Sequence, residues 1–443
     1  MIATVAPIAA LLFSVALLLM GNGLQGTLLP VRANIEAFSQ IDIGVMGSVY
    51  FLGFAIGCYS GPYLVKRVGH IRTFAAMVAL ASSVVLVHSL VIEAISWWVM
   101  RGLTGLCFAV LYLVIESWLN ATSTNANRGL VFSIYTVITL TVITAGQMLL
   151  IADSPQNFSL FAIASVLISL AAVPVALTTA QAPPPAATVK IRLGRLYRLS
   201  PVGVMGCLAV GLANGAFWSL APVFAQERLG GVENIAIFMS VVVIAGAVGQ
   251  WPLGWMSDKI DRRKVITTAS IGAALAGAAL SLFGGAYPGA MMPLAFAFGF
   301  FALPIYALSV AHMNDFVHAE DYVEAAGGLL LVFAAGAVLG PILASVVIEQ
   351  AGVVHLFLYT AAVHVLIGGF AFYRMFKRQR APDDEQVAFA DSLRVAQTVA
   401  NIEELSPDPH TEEGADQPAG QAGRPDSPDG PDETAPRGKP EGA

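Results

Sequence analysis

The chain has 443 residues, 56% of them apolar and 12% charged, with a formal net charge of −6. A composition this apolar and this poor in charge lies outside that of ordinary soluble domains, and nothing in it suits a nucleic-acid partner. The three cysteines, Cys58, Cys107 and Cys207, show no pairing or metal-ligand spacing, and no P-loop, nucleophile elbow or dinucleotide fingerprint is present. ATP-driven work by this chain alone, a bound metal and a cofactor are therefore not expected.

From the N-terminus onward the chain is a series of apolar runs of about 20 residues, each long enough to cross a hydrocarbon layer as a helix. Twelve are predicted, at 7–29, 42–65, 71–92, 96–119, 129–151, 157–179, 203–225, 233–256, 265–286, 290–312, 324–349 and 354–377. The runs are continuous rather than alternating, which argues against barrel strands. The first 20 residues hold no Lys or Arg, so the first run reads as a retained span and not a cleaved signal. After the sixth run Pro183, Pro184 and Pro185 interrupt helix, and Lys190, Arg192, Arg195 and Arg198 follow. The expected organisation is an N-terminal six-helix half (1–180), a connector (181–202), a C-terminal six-helix half (203–380) and a tail (381–443).

Charge is divided unevenly along this plan. Residues 1–380 carry a net +5 and residues 381–443 a net −11. The Pro-, Gly- and acid-rich tail cannot bury a core and is expected to be disordered; a short amphipathic helix fits Asp391 to Leu405 within it. A solvated spacer and a regulatory or docking segment are both compatible with such a tail. The basic residues after even-numbered runs, among them Lys66, Arg67, Arg128, Lys259 and Arg374, outnumber those on the other side, Arg32 and Arg228. By the positive-inside rule both termini are expected in the cytoplasm.

The halves repeat one another at an offset of 192 residues. Asn22, Gly23, Thr27, Leu28, Pro30 and Val31 recur as Asn214, Gly215, Ser219, Leu220, Pro222 and Val223. The same offset carries Gly57 to Gly249, Met100 to Met292, Phe108 to Phe300 and Ser117 to Ser309. Two equivalent multi-helix halves in an apolar chain are the sequence form of a secondary transporter, with a site near the midplane between them. Gly53, Gly57, Gly102 and Gly105 read as close-packing faces.

Residues 254–264 read Gly-Trp-Met-Ser-Asp-Lys-Ile-Asp-Arg-Arg-Lys, their partners at 62–72 keep Arg67 and Gly69, and span 4 holds Arg101-Gly102-Leu103-Thr104-Gly105. In these the chain resembles the major facilitator carriers over about residues 1–380. Tyr50-Phe51-Leu52-Gly53, Glu116-Ser117, Asn127-Arg128-Gly129 and Gly249-Gln250-Trp251-Pro252 resemble a bacterial branch of undefined substrate. The resemblance implies an all-α membrane fold of twelve transmembrane helices in two pseudo-symmetric halves that rock around a central site, often coupled to protons. It also implies a monomer in a bacterial inner membrane. The family has Asp where this chain has Lys66, so a cytoplasmic gate of reversed polarity is expected. Lys66, beside Arg67, would pair with Glu320, or with Asp321 or Glu324, and Asp258 would pair with Arg128; obedience to the positive-inside rule is the plainer account of Lys66 and Arg67.

Ionisable groups inside spans are costly and are functional candidates by default. Arg101 and Glu116 share span 4, roughly 22 Å apart along it and about 60° apart around it, with Tyr112 on the stripe between them. Arg101 suits an anionic group of substrate and Glu116 a transferred proton; a structural bond for the first and a salt bridge for the second are the alternatives. Under the 192 offset their counterparts, Pro293 and Leu308, are uncharged. Asn22, Gln25 and Asn214 are expected to offer neutral hydrogen-bonding groups or to act as interhelical glue, with Trp218 as a stacking face. Gln147 and Tyr306 are further candidates. His88 and His364 read as packed residues, Asp42 and Asn234 as helix caps, and Trp97 and Trp98 as interface anchors. The function expected is secondary active transport of a small molecule by alternating access; a non-transporting sensor signalling through the acidic tail is the alternative.

Overall fold

The computed structural model describes residues 8–124, 127–177, 191–283, 287–318, 321–377 and 386–389. Among them are twelve helices long and apolar enough to cross a membrane, the number predicted, and no strand. In order they are α1 Ala9–Ile35, α2 Gln40–Val68, α3 His70–Leu90, α4 Ala94–Ala121, α5 Gly129–Ala152, α6 Phe158–Ala176, α7 Pro201–Leu229, α8 Val232–Lys259, α9 Arg262–Phe283, α10 Met291–Asn314, α11 Glu324–Ala351 and α12 Val353–Met375. The clearest difference in length is at α1, which runs past its expected end at residue 29. Pro30 lies inside it, and the flanking Leu29 and Val31 are fully buried, so packing holds the helix through the proline, as spanning helices tolerate.

Local chemistry sets the ends. Ser39 and Asp42 form a reciprocal capping box at the start of α2, which satisfies two otherwise orphaned backbone donors. Gly69 turns the chain into α3 at φ +85°, a region where a Cβ is strained. At the matching position after α8 stands Asp261, and that turn is built differently: Asp261 accepts from the backbone N–H of Arg263 at 3.0 Å. Trp97 corrects one expectation. It is fully buried, with its ring against Phe38 and His88, because the start of α4 tucks beneath the loop after α1.

Helices α1–α6 pack on one another, as do α7–α12, and glycines set the closest approaches. Gly105 of α4 meets the Tyr50 carbonyl of α2, Gly53 meets that of Gly102, and Gly146 of α5 meets that of Met20. In the second group Gly299 meets the Val242 carbonyl and Gly340 that of Leu212. These pairs refine the repeat. Tyr50 and Met20 match Val242 and Leu212 at an offset of 192, whereas Gly105 and Gly146 match Gly299 and Gly340 at 194. Two residues are therefore gained before α10. The counterparts of Arg101, Glu116 and Arg128 are Ala295, Val310 and Tyr322, not the residues that the uniform 192 offset assigns. Arg101 and Glu116 still have no charged twin.

The two groups meet at the end away from the connector. Gly44 packs on Ser345 and Pro341, and Gly47 on Ser219. Asn34 donates to Gln226 at 3.1 Å and the Gln40 N–H donates to Glu349 at 3.0 Å. Asn34 and Gln226 are themselves 192 residues apart, so residues related by the pseudo-two-fold touch, and that axis passes between them.

At the connector end a short helix, Leu193–Leu199, is tied to the start of α11. Arg192 reaches Glu324 at 2.7 Å and Arg195 reaches both Asp321 and Glu324. The tail boundary expected at 381 is not a boundary of packing, because Phe389 is buried against Gly254 of α8. The segment Asp391 to Leu405 lies outside the described residues.

Candidate functional site

A cavity of about 200 Å³ lies between the two groups, lined from one by α1, α2, α4 and α5 and from the other by α7 and α8. Its construction starts from Gly105. With no Cβ there, α2 comes against α4, and the Tyr50 ring is set under the Arg101 guanidinium, 4.3 Å from carbon to ring centroid. That is cation–π geometry. Arg101 Nε and Nη1 are buried without a hydrogen-bond partner, and so is Gln147 Oε1; both side chains line the cavity. Asn22, Thr27 and Ser219 add neutral polar groups, while Phe51, Ile143, Trp218 and Met239 supply apolar wall. A buried guanidinium that gives up water without gaining acceptors is expensive. The cavity is thus a cationic, otherwise neutral chamber that presents unused donors.

Of the residues named from sequence, Asn22, Arg101, Gln147 and Trp218 come together here. Gln25 does not line the cavity; it is fully buried in α1 with neither amide atom partnered. Asn214 also lies outside it, buried in α7, where the adjacent Gly215 packs on Ala337. Tyr112 sits between Phe54 and Phe108. Glu116, further along α4, is 2% exposed. Tyr306 packs edge-on to Phe333, just after α10 is interrupted at Leu303 and Pro304. His88 and His364 are buried, each bonded through Nδ1 to a carbonyl of its own helix.

The gate residues fall differently. Lys66 and Arg67 are exposed, and the Arg128 side chain and Glu320 lie outside the described residues. Asp321 and Glu324, named as further partners for Lys66, are instead taken by the connector arginines, whose planar forks match carboxylates. Hydrogen bonding to Glu324 raises the Arg192 pKa, and bonding to Arg195 lowers that of Asp321. Asp258 lies 3.3 Å from Arg262 and accepts the Phe389 N–H at 2.8 Å. Arg262, buried, also holds Asp315 at 2.8 Å, whose carboxyl is pushed up to about 6, chiefly by burial.

Sequence reasoning did not place Tyr50, Thr27, Ser219 or Met239 in the site. Thr27 and Ser219 were visible as a repeat pair and Tyr50 as part of a motif; Met239 left no sequence signal. Among the described residues no group of three His, Cys, Asp or Glu side chains could hold a metal ion.

This arrangement, two helix groups around a central cavity whose largely apolar wall carries one cation and a few neutral polar groups, is that of a membrane carrier. The family model of the Major Facilitator Superfamily matches residues 11–285 and 203–410, and the chain belongs to that superfamily of transporters. It is 27% identical over 359 residues to the uncharacterised MFS-type transporter YcaD of Escherichia fergusonii, covering 81% of this chain and 93% of that one. The nucleoside transporter NupG has the same fold, with a TM-score of 0.71 at 13% identity over 84% of this chain and 99% of that one. So does a bacterial homologue of the human lysosomal transporter Spinster, in an inward-facing and occupied conformation. Its TM-score is 0.69 at 15% identity over 86% of this chain and 97% of that one.

Proposed function

We propose that this protein is a secondary active carrier that moves a small molecule across a bacterial cytoplasmic membrane by alternating access. The observation that carries the reading is the cavity, walled by both helix groups and furnished with polar groups that have no structural partner. In this reading the basic residues put the connector end in the cytoplasm, with both termini. The groups close against each other at the outer end through Gly44, Gly47, Asn34 and Gln226, leaving the connector end as the side that opens. Proton coupling is assigned to Glu116, a buried carboxylate on the same helix as Arg101.

The test is spin-label distance measurement in lipid nanodiscs, after replacing Cys58, Cys107 and Cys207. Labels at Lys66 and Lys264 span the connector end, and labels at Ile92 and Glu233 span the other. Alternating access requires two populations at each pair, with one end lengthening as the other shortens. A single fixed distance at both ends, from pH 5 to 8, would remove the carrier reading and leave the sensor.

A further inference from the structure

We propose that the cavity takes a small organic monoanion: one carboxylate on an uncharged, partly apolar body. This rests on reading the cavity as the transport site. Arg101 is the one lining residue with a full charge, and two of its nitrogens are unpartnered while Tyr50 supports its face. A carboxylate supplies the missing acceptors by a charge-assisted pair. The remaining polar lining, Asn22, Thr27, Gln147 and Ser219, is neutral. No carboxylate among the lining residues would take an ammonium, so a zwitterionic amino acid would leave its own charge buried. No second cation among them would match a dianion. Phe51, Ile143, Trp218 and Met239 leave room for a flat or aliphatic body beside the charge.

Thermal unfolding of the purified protein tests this with acetate, benzoate and indole-3-acetate, each beside its neutral amide, and with phenylalanine as the zwitterion. At least one carboxylate should bind at least tenfold more tightly than its amide and than phenylalanine. The preference should vanish in Arg101→Gln and return in part in Arg101→Lys. Loss of Trp fluorescence quenching in Trp218→Phe would place the ligand in this cavity. Equal binding of amides and acids, or an acid preference unchanged in Arg101→Gln, overturns the inference yet leaves the carrier standing. Spin-label distances that never switch would sink the carrier whatever binds.

A separate observation concerns residues 386–389. The Val387 N–H donates to Asp315 at 3.2 Å and its carbonyl accepts from Arg262. The Phe389 N–H donates to Asp258 at 2.8 Å, and the Phe389 ring lies on Gly254, where a Cβ would not fit. This short strap thus joins α8, the start of α9 and the end of α10, and occupies Asp258, the carboxylate expected from the family resemblance to contact Arg128, just ahead of α5. We infer that the strap is an autoinhibitory catch which must leave before the connector end closes.

Removal of residues 381–443 and the single change Phe389→Ala should each raise the closed population at the Lys66–Lys264 spin-label pair about tenfold. A synthetic peptide of residues 381–395 should reverse this in the truncated protein, and the same peptide carrying Phe389→Ala should not. Unchanged populations in both variants overturn the catch. So does a shift in the truncated protein alone, which would assign regulation to another part of the tail.

Discussion

Replacing Gly105 by Ala tests the foundation of the cavity, because the same substitution has opposite consequences at two glycines of this chain. At Gly369, on α12, a Cβ meets nothing within 4 Å, so Gly369→Ala should gain only the helix-propensity difference of about 0.5–1 kcal/mol. At Gly105 a Cβ would run into the Tyr50 carbonyl and the backbone behind it. A main-chain group cannot rotate away, so α2 and α4 must separate. Overpacking costs typically about 1–3 kcal/mol; taking the upper part of that range and subtracting the propensity gain leaves a net loss of about 2 kcal/mol. Separation of α2 from α4 also withdraws the Tyr50 ring from Arg101, so any affinity carried by Arg101 should fall with stability. Reversible unfolding in mixed micelles gives both free energies, against wild type. Shifts of the same sign, or a Gly105→Ala variant as stable as wild type, would refute the idea that helix contact at this glycine builds the site.

Three further outcomes are expected. Glu324→Ala should release the connector helix, since that carboxylate receives both Arg192 and Arg195, and trypsin should cut faster at those two arginines. Asp315, facing Arg262, Asp258 and the Val387 N–H, has a folded pKa raised to about 6. A raised carboxylate pKa means the folded state holds the proton longer than the unfolded chain, so this group's contribution to stability is fully present and level below about pH 4 and is lost as pH rises through about 6. The stability of wild type relative to Asp315→Asn should follow that course and be level above it, as read by unfolding at fixed pH values. Glu116→Gln should abolish the pH dependence of the spin-label populations if Glu116 carries the proton; retained dependence would assign the proton elsewhere.

Much of the architecture was legible because bilayer crossing imposes length and hydropathy on each segment, and duplication left paired residues such as Asn22 and Asn214. The gain of two residues before α10 was not, since residues like Phe108 and Phe300 match at 192 by chance of composition. Only the glycine–carbonyl contacts, which tolerate no slippage, reveal 194. In the site, Arg101 and Gln147 announced themselves as polar groups in apolar runs. Gln25 had the same signature yet faces away from the cavity, because spacing along α1 does not say which neighbour each face meets. The strap was hidden by its surroundings: one buried Phe389 in an acidic, proline-rich stretch has no weight in an averaged composition.

The hydrogen bond between Asn34 and Gln226 constrains how this chain can have come about. A residue on a two-fold axis faces its own equivalent, so in a symmetric pair of half-chains it would have to complement itself. Two ammonium groups or two carboxylates would repel there, whereas an amide donates from one atom and accepts at the other. Both halves retain an amide at this point, one as Asn and one as Gln. Asn34 uses both capacities, donating to Gln226 and accepting from Gln40 at 3.3 Å. Fusion of two copies therefore needed no new chemistry at their meeting point, and exchanging Asn34 with Gln226 should preserve the seam.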